Sequence, residues 1–219
     1  MARNKILSQD AYDYILELIL SKQLLPGTRI RESQIADDLQ ISRTPVRAAI
    51  HQLSDKGLID VHTNRFAQVT DYTPTMIREI GTMRLALDRV STKLALIYGN
   101  QIDFLNLQNL ANKSLNAFRA GDEKARRISD CDFHLELSRI SNNSLLYKFQ
   151  LELYLRVQFI LIYHNNKVHD DKAHINQHLE FTEALIARDE KKALEIIERH
   201  LIDYYNLENH YPDDFLLNF

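Results

Sequence analysis

The chain has 219 residues, 45 % of them hydrophobic, and sets 27 Lys/Arg against 30 Asp/Glu for a formal charge of −3 and a pI of about 6.3. That length supports two ordinary domains or one large one, and the single Cys131 excludes an internal disulfide, in keeping with a reducing cytoplasm. No apolar run of about 18 residues occurs and MARNKILSQD lacks a signal-like segment, so neither membrane nor secretion is expected; the bulk basic charge common among nucleic-acid binders is also missing.

The first predicted helix, Ser8 to Gln23, is amphipathic, with Ala11, Ile15, Leu18 and Ile19 on one side, and stops before Leu25-Pro26-Gly27. A helix from Ser33 to Leu39, a turn at Gln40 to Ser42 and a second helix follow. Thr44 reads as the N-cap of that second helix and Pro45 as its first position, with Gly57 as its stop. Val46, Ala49, Ile50 and Leu53 form its apolar face, while Arg47 and His51 lie opposite and Arg43 precedes the cap. Guanidinium groups at the start of such a helix suit phosphates and guanine edges. The plainer alternative is a helical hairpin with a solvated arginine face.

The flanks favour the DNA-binding reading. Two β-rich runs, Leu58 to Val61 and Phe66 to Thr70, surround His62-Thr-Asn-Arg65 as a hairpin wing. Residues 1 to 75 hold nine Lys/Arg and nine Asp/Glu, so any attraction to phosphate must be local. Arg29, Arg31, Arg43, Arg47, Lys56 and Arg65 can supply it if wing and helix adjoin.

The stretch LLPGTRIRESQIADDLQISRTPVRAAIHQLSDKGLI closely resembles the winged helix of the GntR family of bacterial transcription regulators, most specifically in Ser42 to Arg47. That resemblance implies double-stranded operator DNA as partner and Arg43, Thr44, Arg47, His51, Ser33 and Arg65 as the DNA-facing set. Two positions depart from the pattern. Phe66 stands where the family's wing has a glycine, and Ser33 where some members carry an arginine, so the arginine contact does not transfer. One helix-turn-helix unit reads a half-site, so a homodimer is expected.

Strand-like sequence ends near Asp71-Tyr-Thr73-Pro74, dividing the chain into residues 1–72 and 73–219. Six helices are predicted beyond. The first, with Ile80, Met83, Leu87, Val90, Leu94 and Ile97 at intervals of three and four, stops at Gly99-Asn100; the second carries Phe104, Leu107, Ala111 and Phe118. The others run from Asp122 to about Ile140, Leu145 to Tyr163, Asp171 to Arg188 and Glu190 to Asn206. Short connectors make this an all-α antiparallel bundle, and the whole fold mainly α: three helices with a small β-hairpin wing, then the bundle.

Polar residues interrupt its apolar faces. Asp130 and His134 share a face with Phe133, Leu137 and Ile140; His178 shares one with Ile175, Phe181 and Leu185; His200 shares one with Ala193, Ile197 and Tyr204. A buried aspartate is costly unless paired or bound to a cation. One carboxylate and three imidazoles directed inward suit a divalent metal, zinc first among zinc, nickel, manganese and iron. The plainer alternative is histidines satisfied by their neighbours, the chain having nine.

Residues 74 to 206 resemble the FCD ligand domain of the FadR-type branch of these regulators, through Glu79 with Arg84 and Asp88, Asp130-x-x-Phe133-His134, Asn143, His178, Asp189, Ala193 and His200-Leu201. In many such domains an Asp, His, His, His set binds a divalent metal, which implies Asp130, His134, His178 and His200 as ligands here. Arg84 is either a clamp for a carboxylate effector or a snorkelling surface arginine. Asn143 is an effector contact or a helix cap. His174, one turn before His178, is a minor effector candidate, whereas His164 and His169 belong to a polar loop. The expected function is a cytoplasmic, ligand-responsive repressor taking a small organic acid. The alternatives are a regulator whose signal is the metal itself and a metalloenzyme, the last lacking a general base at any recognisable spacing.

Overall fold

The computed structural model describes residues 2–62, 66–164 and 171–211, so Arg65 and His169 lie outside the described residues. The chain divides into two compact units, Met1–Thr73 and Pro74–Phe219.

In the first unit α1 (Ala2–Leu20) precedes the two-residue strand β1 (Arg29–Ile30), then α2 (Glu32–Asp38), α3 (Arg43–Asp55), β2 (Ile59–His62) and β3 (Phe66–Val69). Helix α1 ends short of Gln23 because Lys22 takes a left-handed φ of 64° and the amides of Gln23 and Leu24 both turn back to the Leu18 carbonyl at 2.9 Å. Its Ala11, Ile15 and Ile19 are fully buried, and it packs on α3. Helix α3 buries Val46, Ala49, Ile50 and Leu53 and leaves the other face to solvent.

The start of α3 corrects the expected cap. Ser42, extended at φ −74° and ψ 163°, is the N-cap, and Thr44 is already helical. Proline is tolerated there because the first four amides of a helix have no intrahelical acceptor, so Pro45 loses no bond one turn in. The other end follows the glycine signal. Gly57 at φ 76° donates to Ser54 at 2.8 Å and Leu58 donates to Leu53 at 2.9 Å, a Schellman closure. The wing is larger than a hairpin: the sheet order is β1-β3-β2, with Ile30 opposite Ala67 and Ile59 opposite Val69. Two residues are too few to show alternation, which hid β1 in the sequence.

The second unit consists, among the described residues, of α4 (Pro74–Tyr98), α5 (Gln101–Ala120), α6 (Glu123–Ile140), α7 (Ser144–Tyr163), α8 (Asp171–Ile186) and α9 (Glu190–Tyr205). Side chains mark the starts: Asn100 and Asp103 form a capping box on α5, while Asp122, Asn143 and Asp189 cap α6, α7 and α9. Helix α4 packs on α6, α7 and α9, α5 on α6 and α8, and α8 on α9, around Phe104, Phe133, Phe159 and Phe181. At Gly81 of α4 a Cβ would lie 2.4 Å from Cγ of Tyr205, so only glycine lets α9 bring that ring so close. No helix among the described residues is long and apolar enough to cross a membrane.

Candidate functional site

The outer face of α3 is open. Arg43, Thr44, Arg47 and His51 are all exposed there, as is Ser33 on α2. Arg47 Nε lies 2.7 Å from Glu32 Oε2, with the two side chains 63 % and 33 % exposed. An ion pair that wet contributes little and can be exchanged for a phosphate. Phe66, in place of the family's glycine, takes the Arg29 guanidinium over its ring at 4.0 Å from the centroid.

The four inward residues of the second unit meet at one point. Helix α6 supplies Asp130 and His134 from successive turns, α8 supplies His178 and α9 supplies His200, each at most 5 % exposed. One ligand atom from each lies within 4.8 Å of all the others. His178 Nε2 stands 3.2 Å from His134 Nε2, 3.1 Å from His200 Nε2 and 3.7 Å from Asp130 Oδ1.

Two of the rings are oriented from behind. His134 Nδ1 donates to Asp88 Oδ2 at 2.6 Å, and Asp88, fully buried, also accepts from Gln150 Nε2. His200 Nδ1 donates to Gln177 Oε1 at 3.1 Å. With their protons committed outward, both rings turn Nε2 lone pairs toward His178. Burial holds the His178 and His200 imidazoles well below their ordinary pKa, so both are neutral. Burial opposes ionisation of Asp130, but the permanent charge of Arg84 beside it favours the carboxylate and holds its carboxyl below the usual range.

This donor set fits a divalent cation. Lone pairs only about 3 Å apart repel unless a proton or a cation lies between them, and His178 has a single proton for two neighbours. Ligand atoms about 2.0–2.1 Å from one small ion stand roughly 3.0–3.4 Å apart, the spacing of His178 Nε2 from His134 Nε2 and from His200 Nε2. His178 Nδ1 has no hydrogen-bond partner among the described residues, leaving its tautomer free to follow whatever Nε2 binds.

Arg84 is 3 % exposed, which rules out snorkelling. Its Nη1 donates to the Tyr205 hydroxyl at 3.1 Å, and its Nη2 sits 3.5 Å from Asp130 Oδ2 with no hydrogen-bond partner among the described residues. Beside it a cavity of about 10 Å³, bordered by His134, Gln150 and Tyr154, has room for one water. A roomier pocket of about 270 Å³ lies along Ile77, Ile160, His164, Tyr204 and Tyr205. His174 stacks on His200 at 3.8 Å and 15°, placing it against the ligand set. Asn143 Oδ1 accepts from the amides of Leu145 and Leu146, so its side chain is engaged in capping α7.

The sequence left three supporting residues without roles. Asp88 stood only among the residues of the resemblance, and Gln150 and Gln177 were not singled out. Gln150 had a signal: it lies four residues after Leu146 and seven before Val157, on the inward face of an apolar helix. Gln177 precedes His178 and had none.

Two family models match the chain. Residues 7–69 match the model of the bacterial regulatory proteins of the gntR family, and residues 79–203, more than half the chain, match the FCD domain. The HTH-type transcriptional regulator YdhC of Bacillus subtilis (strain 168) is 23 % identical over 196 residues, 89 % of this chain and 86 % of that protein. The HTH-type transcriptional repressor RspR of Escherichia coli (strain K12) is 24 % identical over 195 residues, covering 89 % and 85 %. The solved structure of E. coli McbR/YncC superposes with a TM-score of 0.75 at 22 % identity, covering 92 % of this chain and 96 % of that one, a likeness of fold.

Proposed function

The chain belongs to the GntR family of bacterial regulators, in the branch with a C-terminal FCD domain, and from that premise we propose that it is a repressor whose helical unit binds a divalent metal through Asp130, His134, His178 and His200 and answers to a small organic acid. As a member of that family it is a DNA-binding transcription regulator and not an enzyme. Arg43, Thr44, Arg47 and His51 on α3, with Ser33 beside them, are its proposed operator contacts. Repression follows the relative named a repressor.

The observation that carries the metal reading is the convergence of three imidazole Nε2 atoms and one carboxylate oxygen in a buried site. Asp130, His134, His178 and His200 would hold the ion, and a divalent metal that accepts further ligands would supply Lewis acidity for a carboxylate there. Arg84, with an unsatisfied Nη2, is the side chain placed to add a charge-assisted bond. The cavity of about 10 Å³ admits no organic acid, so an effector must displace a neighbour such as Gln150 or Tyr154, and that displacement is the change a regulator can transmit. The same tightness supports a second reading, in which the metal alone is the signal.

One titration separates the two. Operator fragments selected from genomic DNA are titrated with metal-loaded protein in the presence of a panel of mono-, di- and hydroxycarboxylates, and again after chelation. Loss of affinity with one carboxylate at constant metal supports the effector reading. Loss on chelation with indifference to every acid supports the metal sensor, and retention of full affinity in both sinks the regulatory role of the site.

A further inference from the structure

The first unit holds a cavity of about 630 Å³, within the range of small-molecule sites. Helix α1 ends at Leu20, the turn folds the Leu24 amide back to the Leu18 carbonyl at 2.9 Å, and β1 occupies only Arg29–Ile30 before α2 opens at Glu32. Leu18, Leu24, Ile30 and Ile35 give the cavity apolar walls, with Phe66 of β3 beside them. Arg29 and Arg31 line the same cavity. Arg29 is held over the Phe66 ring, and neither arginine has an acidic partner among the described residues. The single carboxylate on the wall, Asp38, takes the Tyr14 hydroxyl at 3.2 Å and stands about 10 Å along the helix axis from Arg31. One end of the cavity is therefore cationic and its middle apolar.

We propose that this cavity is a second ligand site, for an amphipathic organic anion whose acidic group sits at Arg29 and Arg31 and whose apolar body lies along Leu18, Leu24 and Ile35. Charge complementarity selects the head, since two unpaired guanidinium groups suit a carboxylate or sulfonate. The walls select the body: an inorganic anion leaves them wet, and a neutral hydrocarbon leaves both arginines without a partner. The cavity also stands apart from the operator contacts. At about 100° per residue, Gln34, Ile35 and Asp38, which line it, are about 100°, 200° and 140° around α2 from Ser33, and no residue of α3 lines it. Its occupant touches α2, which carries Ser33 and the Arg47 partner Glu32, and β1, which pairs with the wing strand β3. Binding there tunes the presentation of the DNA-facing residues without covering them. The site is independent of the metal reading, whose four ligands all belong to the second unit.

The test uses the full-length chain and the fluorescent anion anilinonaphthalene sulfonate, whose emission rises in apolar surroundings and is free of tryptophan signal, since the chain has no tryptophan. The wild type should bind it saturably. Gln34→Phe, which fills the cavity from an exposed helix position, should weaken that binding by about tenfold, and Arg31→Gln, which removes one cation from the head, by about fivefold. Decanoate should displace the probe at far lower concentration than acetate. Circular dichroism and melting temperature check that both variants are folded. Absence of saturable binding, or equal probe affinity in wild type and both folded variants, overturns the site. Equal displacement by acetate and decanoate overturns the amphipathic class of ligand. Operator DNA is the rival occupant of the arginines: an Arg31→Gln protein with unchanged probe binding and a salt dependence of operator binding flatter by about one charge makes Arg31 a phosphate contact and overturns the proposal. A chain that binds the probe as described but no operator keeps the cavity site and sinks the operator reading.

Discussion

Exchanging Asp88 for asparagine isolates the orientation of a ligand from its presence. Asp88 is fully buried, and its two oxygens serve His134 Nδ1 and Gln150 Nε2. Asparagine keeps the shape. Its single carbonyl can hold the His134 proton, but its amide then faces the Gln150 amide, donor against donor, unless Gln150 reverses. In either arrangement His134 faces a neutral acceptor in place of a carboxylate, and its Nε2 becomes a weaker donor. Loss of such an outer partner typically costs 10- to 100-fold in metal affinity, about 1.4–2.7 kcal/mol. Competition with a chromophoric chelator reads the dissociation constant, and circular dichroism checks that the bundle is intact. An affinity within about twofold of wild type, in a folded protein, would refute the claim that Asp88 poises His134 for a cation.

Arg47→Ala should weaken operator binding by about 1–3 kcal/mol if the residue reaches a base, and flatten the salt dependence by about one charge if it reaches phosphate; gel shifts at several salt concentrations tell these apart. Glu32→Gln, which releases Arg47 and removes a carboxylate beside the DNA-facing helix, should raise affinity in the same assay, and a decrease would show that the ion pair preorganises Arg47. Adding metal at about 100 times its dissociation constant should stabilise the metal-free protein by about 2.7 kcal/mol, seen as a higher melting temperature that the chelator reverses. Without metal, acid should destabilise the bundle. The folded pKa of His178 and His200 is depressed below the ordinary 6.5, so the unfolded state takes up protons first; their contribution is complete above that pH and falls away below it, by up to about 1.4 kcal/mol per pH unit for each ring. Urea melts between pH 7.5 and 5 give the slope, and a flat profile would contradict neutral buried rings.

Wherever one residue type had a single physical use, the sequence was readable. Gly57 ended α3 through its positive φ, Asp122 marked the start of α6 by capping an amide, and the inward periodicity of Asp130, His134, His178 and His200 put them on faces that the structure brings together. Positions with several uses were ambiguous. Ser42 and Thr44 are both competent caps, and only the backbone conformation selects the serine. Arg84 was equally compatible with solvent until the tertiary fold set Tyr205 and Asp130 around it, which the missing side chain of Gly81 permits. Gln177 and Gln150 orient the site through contacts across helices, and no local pattern records such contacts.

Elemental analysis of the purified, unsupplemented protein, beside His178→Ala and Asp130→Ala, tests the buried metal centre most directly. About one divalent ion per chain in the wild type, lost or sharply reduced in both variants while the winged helix still binds DNA, is the predicted result. An unsupplemented wild type without metal that also takes up none on dialysis against zinc, nickel or manganese would contradict it, and would make the four residues a polar pocket that holds its ligand by hydrogen bonds and Arg84.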